Sequence, residues 1–479
     1  MSVRVRVAVV CAALAAATGL VLLLAHPAWD APIRPLPVVG AAWIAFAAAA
    51  WLVRGLPIRW SVALILLGGI VLQLAALSAP PQQSTDMYRY IWDGRVQAAG
   101  IDPYAYVPTA PQLAGLRDEL LWPADGPFCV KPGVRDPGDP ALTLVPGCTM
   151  INRPTVPTIY PPVAEAYFLA IYELSPAGSG TTPMQAAAAA CAILITVLLL
   201  YALRGLGRDV RRAALWAWCP MVALEAGNNA HVDVVAVGLT AVALVLLARP
   251  GRLRRTVLGG VLLGLAIATK VTPVLAGPAV LRRRWAAVVA SAAGAVAVVY
   301  VPHLLAVGGK VIGYLPGYLQ EDGFANGTRF NVIALLFSGH EATLIAVAVL
   351  AVTGLAVLRF ADPDDPWRGA VVMTGVALAV TTPYLQWYAL LLVMLVAFDG
   401  RAEWLAFAAA GYVYAEPDLG RFTLPDPGAV GYGAAIVFVA AVSLARHIQA
   451  RRAGARRAES ERSYQVLTAA PGVLQTTPQ

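Results

Sequence analysis

The chain has 479 residues, of which 59% are hydrophobic and only 13% are charged. A soluble protein of this length could not bury so much apolar surface, so the composition excludes a soluble enzyme and predicts an all-α polytopic membrane protein. The formal net charge of +8 comes mainly from short arginine clusters between apolar runs. That distribution is typical of cytoplasmic loops and not of a nucleic-acid-binding surface.

Apolar runs bounded by charge, proline or glycine predict about fourteen membrane passes, several of them short, and hence a bundle of about 12–14 helices. One membrane domain is predicted over residues 1–454, followed by a disordered cytoplasmic tail at 455–479. Arg4 and Arg6 place the N-terminus in the cytoplasm, so the third run, residues 61–79, ends on the outer face. An even number of passes also places the C-terminus in the cytoplasm.

A long hydrophilic segment, about residues 80–183, is therefore predicted on the outer face. It opens with STDMYRYIWDGRVQAAGIDPYAY at residues 84–106. If this stretch is helical, its spacing places five polar residues on one face: Asp86, Arg89, Tyr90, Asp93 and Gln97. A polar face flanked by aromatics at the mouth of a membrane span indicates a site of chemistry. The alternative is a surface helix with Asp–Arg ion pairs.

Three further polar clusters follow on the predicted outer side. Residues 151–168, INRPTVPTIYPPVAEAYF, are predicted to begin extended, because a residue before proline is disfavoured in a helix, and to end as a short apolar segment. Two apolar hairpins turn at GNNAHVD and at Lys270, and their arms fall short of the roughly twenty residues of a full span. Their polar tips are therefore predicted to line a cavity, and TTPYLQWY forms another polar tip.

Two cysteines, Cys129 and Cys148, lie within the predicted outer segment. Disulfides persist in exported segments, so these two residues are predicted to be bridged, and closing the loop is worth about 3 kcal/mol in the chain-entropy model. The sequence has no CxxC pair or His/Cys cluster that would suggest a structural metal, and it has no dinucleotide-binding or Walker motif. No cofactor is predicted, and a divalent metal is not indicated.

Several of these motifs resemble those of a known enzyme class. DMYRYIWDGRVQAAGIDPYAY, INRPTVPTIYPP, NNAHVD and ATKVTPVLAGP are similar to segments of bacterial, notably actinobacterial, polyprenyl-phosphate-mannose-dependent mannosyltransferases. These belong to the GT-C class of integral-membrane glycosyltransferases. The resemblance covers roughly residues 85–388. Simpler members have one span before the catalytic loop, whereas three are predicted here, and the parity is unchanged.

The resemblance implies inverting transfer of a hexose, mannose by analogy, from a polyprenyl-phosphate sugar to a glycan or glycolipid acceptor. The reaction would take place at the outer face of the plasma membrane. By its position, Asp86 would be the catalytic base toward the acceptor hydroxyl. The polyprenyl phosphate leaves as a stable anion, so it needs charge stabilisation more than protonation.

The candidate ligands of the donor phosphate are Lys270, Arg89 and Arg153, because a phosphate at the interface needs fixed cations. A lysine that snorkels to the surface is the alternative for Lys270. Helix N-capping is the alternative for Asp233, and aromatic-belt anchoring for Trp387 and Tyr388. The candidate acceptor or sugar ligands are the remaining cluster residues: Asp93, Tyr90, Asn152, Tyr160, His231, Asp233, Gln386, Trp387 and Tyr388.

Two other functional classes are compatible with a multi-pass chain. A solute transporter or lipid flippase would place polar residues near the membrane midplane, but transporters tend to show internal repeats, and no convincing repeat relates the two halves. A non-catalytic assembly scaffold would leave the density of Asp, Arg and aromatic residues after residue 84 unexplained. The sequence therefore favours the enzyme.

Overall fold

A computed structural model describes residues 1–26, 36–249, 251–414 and 426–469, with side chains as far as residue 453. The structure is predominantly helical, with two small two-stranded sheets. The predicted all-α polytopic membrane fold is confirmed, because seven of the described helices are long and apolar enough to cross a bilayer. The main helices of the first half of the chain are α1 (Val3–Ala25), α2 (Leu36–Leu52), α3 (Ile58–Ala76), α4 (Asp86–Ala98), α5 (Pro162–Leu174) and α6 (Thr182–Gly205).

Short helical pieces alternate with long helices in the second half. One of these pieces is a π-helix at Ala223–Asn228. The helices are α7 (Ala214–Ala217), α8 (Pro220–Val222), α9 (Asp233–Leu247), α10 (Leu253–Ile267), α11 (Gly277–Val280), α12 (Trp285–Val307), α13 (Leu315–Glu321), α14 (Asn331–Ala334), α15 (Gly339–Phe360), α16 (Pro366–Thr381), α17 (Leu390–Asp399), α18 (Ala406–Tyr414) and α19 (Pro427–Ala469).

The predicted count of about fourteen passes is larger than the number of span-length helices. Within the described ranges, seven helices meet the length and hydropathy requirement, and an eighth does so if a broken pair counts as one span. That pair, Pro220–Asn228 and Asp233–Leu247, bends by 119°. Several predicted arms are instead short helices, such as α16 and α17, because proline and polar residues interrupt the apolar runs. The bend brings the polar turn between the two halves into the bundle.

The segment between α3 and α6, called here the α3–α6 segment, carries α4, α5 and the sheets. One sheet pairs β1 (Phe128–Val130) with β4 (Gly147–Thr149), and the other pairs β2 (Arg135–Asp136) with β3 (Asp139–Thr143). Cys129 is opposite Cys148 in the first sheet, and the structure joins them by a disulfide. The sequence pattern predicts no strands here, because each strand has only two to five residues.

α17 lies within the hydrophobic core of the helix bundle. Nine of its residues, from Leu390 to Phe398, are buried. A helix that is hydrophobic all round is expected in the interior of a membrane bundle. Trp367 of α16 stacks on Phe398, with 3.8 Å between ring centroids.

The C-terminal helix is longer than the sequence suggested. The predicted disordered tail begins at residue 455, but the backbone of α19 remains helical to Ala469. Alanine, arginine and glutamate in this region have high helix propensity, which accounts for the difference. The rest of the predicted tail, residues 470–479, lies outside the described residues.

Candidate active site

Two asparagines of the bent pair hold the chain where it leaves α3. The Nδ2 of Asn228 donates to the backbone carbonyls of residues 76, 79 and 80, each at 3.1 Å, and its Oδ1 accepts from the backbone N–H of residue 82 at 3.2 Å. The Oδ1 of Asn229 accepts from the backbone N–H of residue 83 at 3.2 Å. These bonds fix the start of α4 against the turn between Asn228 and α9.

Asp86 is the first residue of α4, where the helix dipole favours a carboxylate. Its Oδ1 accepts a 2.7 Å hydrogen bond from the Nδ2 of Asn152, and its Oδ2 lies 3.8 Å from the Nδ1 of His231. The Asp86 side chain is 17% exposed, whereas His231 is fully buried. Two predicted clusters, at residues 152–160 and 228–233, therefore meet at Asp86.

His231 is held between an aromatic ring and a second carboxylate. Its imidazole stacks on Trp387 with 3.8 Å between ring centroids, and its Nε2 lies 3.6 Å from an oxygen of Glu225. Glu225 also accepts hydrogen bonds at 2.9 Å from Tyr412 and from Asn229. This arrangement fixes the plane of the imidazole beside Asp86.

Lys270 forms an ion pair with Asp233, at 3.2 Å between Nζ and Oδ2. The ammonium lies 5.6 Å from the ring centroid of Tyr160 and 5.3 Å from that of Tyr388, both within cation–π range. Tyr388 also shares a 2.6 Å hydrogen bond with the hydroxyl of Tyr318. Asp233 is the first residue of α9, where Val232 occupies the N-cap position, and its carboxylate forms the ion pair with Lys270 at the N-terminus of that helix.

The rest of the polar face of α4 is buried against α5. The Nε of Arg89 lies 2.9 and 3.0 Å from the two oxygens of Asp93, and its NH1 donates to the carbonyl of Val156 at 3.2 Å. The side chains are 5% and 2% exposed, respectively. The Asp–Arg pairing considered for a surface helix thus occurs in the interior. Arg89 and Asp93 therefore expose little of their side chains and satisfy each other's charge.

Glu165 of α5 completes this buried network. It accepts from the hydroxyl of Thr158 at 2.7 Å and from the Nε2 of Gln97 at 3.0 Å. Burial raises the pKa of Glu165 well above its ordinary value, and the neighbouring Asp93 raises it further. Burial also raises the pKa of Asp93, although the Arg89 guanidinium opposes that shift. Two adjacent carboxyls beside one arginine favour a protonated Glu165.

Aromatic side chains fill the space between the network and the site. Tyr90 stacks on Phe168 at 4.3 Å and meets the edge of Tyr160 at 5.0 Å, measured between ring centroids. The two helices approach closely at Gly94, where a Cβ would lie 2.6 Å from the carbonyl oxygen of Phe168. Tyr90 is fully buried and Tyr160 is 7% exposed. Tyr90 therefore helps to pack α4 against α5.

Two other predicted residues lie at the margin of the candidate active site. Arg153, with a left-handed φ of 47°, forms an ion pair with Glu321 at 2.6 Å, and both side chains are more than one-third exposed. This pair links residue 153 to the end of α13. Gln386 begins a short 3₁₀ helix and is 6% exposed. Its backbone lies close to Gly411 of α18.

The structure thus brings together eight of the thirteen predicted site residues. Those that converge are Asp86, Asn152, Tyr160, His231, Asp233, Lys270, Trp387 and Tyr388. Arg89 and Asp93 are buried beside α5, and Arg153 pairs with Glu321. Glu225 and Glu165 are not among the residues predicted from the sequence. A carboxylate within an apolar arm, as at Glu225, is the signal that could have marked it.

A model of glycosyltransferase family 87 matches residues 158–383, slightly less than half of the chain. The match includes Tyr160, His231, Asp233 and Lys270 and begins after Asp86 and Asn152. No curated protein and no solved structure matches the chain. The family match supports a membrane glycosyltransferase of the GT-C type, with a sugar donor and an acceptor as its substrates.

Proposed function

We propose that the protein is an inverting hexosyltransferase that uses a polyprenyl-phosphate sugar, mannose by resemblance, and a glycan or glycolipid acceptor at the outer face of the plasma membrane. One observation carries the proposal. Asp86 and Lys270 each keep 17% of their side chain exposed, whereas Asp233 keeps 4% and Glu225 none. An accessible carboxylate and an accessible cation thus occur within one buried polar cluster.

Asp86 is the base in this proposal. Asn152 occupies its Oδ1 and leaves Oδ2 to accept the proton of the acceptor hydroxyl. The hydroxyl oxygen attacks the anomeric carbon from the face opposite the phosphate, so the configuration inverts. As the new glycosidic bond forms, the bond between the anomeric carbon and the phosphate oxygen breaks, and the electron pair leaves with the polyprenyl phosphate.

Lys270 stabilises that leaving phosphate. An ammonium has three N–H donors, and Asp233 accepts one of them, so two remain for phosphate oxygens. Asp233 and the rings of Tyr160 and Tyr388 hold the ammonium in place. A fixed cation in a low-dielectric site needs no reorganisation when charge develops. The leaving group is a stable anion, so the proposal requires no cofactor.

The test is transfer of radiolabel by the purified protein in liposomes. Polyprenyl-phosphate-[14C]mannose is supplied with membrane glycolipids, and the products are separated by chromatography. The proposal predicts labelled glycolipid and release of polyprenyl phosphate in equal amounts. Movement of intact donor between leaflets without a labelled product would support the transporter or flippase alternative and contradict the proposal.

A further inference from the structure

A second polar cavity lies in the α3–α6 segment, apart from the candidate active site. It has a volume of about 480 Å³, is open to solvent, and its lining includes Arg117, Asp118, Glu119, Trp122, Pro146 and Cys148. This volume falls within the range of small-molecule sites, roughly 300–1,000 Å³. None of these lining residues belongs to the cluster around Asp86.

A disulfide and aromatic contacts hold the residues that line the cavity in place. The disulfide between Cys129 and Cys148 holds the strand that forms the wall. The guanidinium of Arg117 lies 3.8 Å from the ring centroid of Trp122, whose indole meets Trp92 of α4 at 5.6 Å. A planar cation stacked on a ring is pre-organised and loses little entropy when it binds a ligand oxygen.

The positive and negative charges in and next to the cavity nearly cancel. Asp118 pairs with Arg95 of α4 at 2.5 Å, and its backbone partner is the N–H of Leu121. Burial opposes ionisation, but the hydrogen bond from Arg95 holds the pKa of Asp118 below its ordinary value. Arg117 and the exposed Glu119 then contribute one charge of each sign. A phosphate would meet carboxylates here, whereas a neutral polyol would meet both donors and acceptors.

Two N–H groups at this site have no acceptor among the described residues. They are the Nε of Arg117 and the indole Nε1 of Trp122, and both atoms are buried. A buried donor without a partner costs about 1–3 kcal/mol. A ligand hydroxyl that reaches them after a small side-chain shift would recover part of that cost.

From these observations we infer that the cavity binds a neutral hexose unit of an oligosaccharide. The inference rests on the proposed function for its biological role, because the ligand would be a sugar of the glycan acceptor. Arg95, the partner of Asp118, lies nine positions after Asp86 on α4. The two Cα atoms are therefore about 14 Å apart along the helix axis and on opposite faces of the helix. An acceptor of several sugars would extend from the cavity around α4 to bring its terminal hydroxyl to Asp86.

The first experiment measures binding in the absence of donor. Mannotetraose is titrated into the detergent-solubilised wild-type protein by calorimetry, and then into Arg117→Ala and Glu119→Ala. Loss of one charged hydrogen-bonding group is expected to weaken binding about tenfold. The matched control is Lys131→Ala, an exposed cation of the same segment outside the cavity lining, which should bind like wild type.

The second experiment separates this inference from the proposed function. In the transfer assay, Arg117→Ala and Glu119→Ala should raise the acceptor KM about tenfold for a tetrasaccharide but not for a monosaccharide acceptor, with kcat and donor KM unchanged. Oligosaccharide binding that depends on Arg117, without any transfer, would contradict the proposed function alone. Absence of mannotetraose binding, or equal binding by all variants, would overturn the cavity assignment.

Discussion

Asp86 and Asp93 show how two carboxylates on one face of a helix come to lie in different environments. Their spacing of seven residues places both carboxylates on the same face of α4, which is helical from Asp86 to Ala98. Periodicity does not reveal what covers the face. Asp93 meets Arg89 within the interface with α5, whereas Asp86 stays accessible at the helix N-terminus. A base must reach the proton it accepts, so accessibility favours Asp86.

Lys270 gives a test of the phosphate role. Lys270→Ala removes the cation proposed to face the leaving group, so transfer per folded molecule should fall by about 10² or more. Thermal stability should fall as well, because the buried carboxylate of Asp233 loses its partner. Steady-state kinetics with varied donor would measure the effect. Lys310→Ala, the matched control, removes an exposed lysine whose Nζ lies 3.4 Å from the backbone carbonyl oxygen of Ala105. Equal kinetics for both variants would return Lys270 to the snorkelling interpretation.

Glu165 gives a prediction of pH dependence. Because burial raises its pKa in the folded state, its contribution to stability is complete below the unfolded pKa and is lost as pH rises through the folded pKa. Glu165→Gln cannot ionise, so the variant should gain stability relative to wild type as pH rises above about 4.5. Thermal unfolding across pH measures this difference.

The control for that measurement is Glu173→Gln, on the exposed side of the same helix. Its unfolding temperature should follow that of wild type at every pH. If Glu165→Gln also follows wild type across the range, the carboxyl is not held neutral by burial.

Among the secondary-structure elements, α4 was predictable from the sequence, but its packing against its neighbours was not. The 84–106 stretch was predicted as a single polar unit, and its helix covers Asp86–Ala98. The turn of the first hairpin was predicted to be polar, but the π-helix and the 119° bend were not. Asn228 and Asn229 fix that bend through long-range bonds to residues 76–83. Contacts so distant in sequence leave no local pattern.

The disulfide provides a prediction for the β1–β4 sheet. Peptide mapping of unreduced protein should recover Cys129 and Cys148 in one linked peptide. Replacing both by serine should cost about 3 kcal/mol at most in that region and make residues 111–149 more sensitive to protease. Cys11→Ser, which alters a free cysteine of α1, should leave cleavage unchanged. Free thiols at both positions would refute the pairing.

At the scale of the molecule, composition and the length of the apolar runs were enough to predict a helical membrane protein, because apolar runs of nearly twenty residues are typical of membrane-spanning helices. It was not enough to count the passes. Short helices such as α17 lie wholly in the interior, and hydropathy alone does not separate them from spans. Arginine distribution still gives a definite prediction for sidedness.

That prediction places the α3–α6 segment outside. Gly115 is exposed, and a side chain there would contact nothing within 4 Å. In a Cys11→Ser background, Gly115→Cys should react with an impermeant maleimide in intact cells. Arg204→Cys, at the other end of α6, should react only after permeabilisation. The reverse pattern would invert the topology and remove the outer-face site.

The most direct test of Asp86 as the catalytic base is transfer of labelled mannose by the purified Asp86→Asn variant in liposomes. The change keeps the size of the side chain and removes the base, so kcat should fall by about 10² to 10⁴ while folding and donor binding remain near wild type. Asp125→Asn, an exposed carboxylate of the same segment, should be fully active. Asp93→Asn should lose stability more than turnover per folded molecule. Near wild-type turnover by Asp86→Asn would contradict the assignment of the catalytic base.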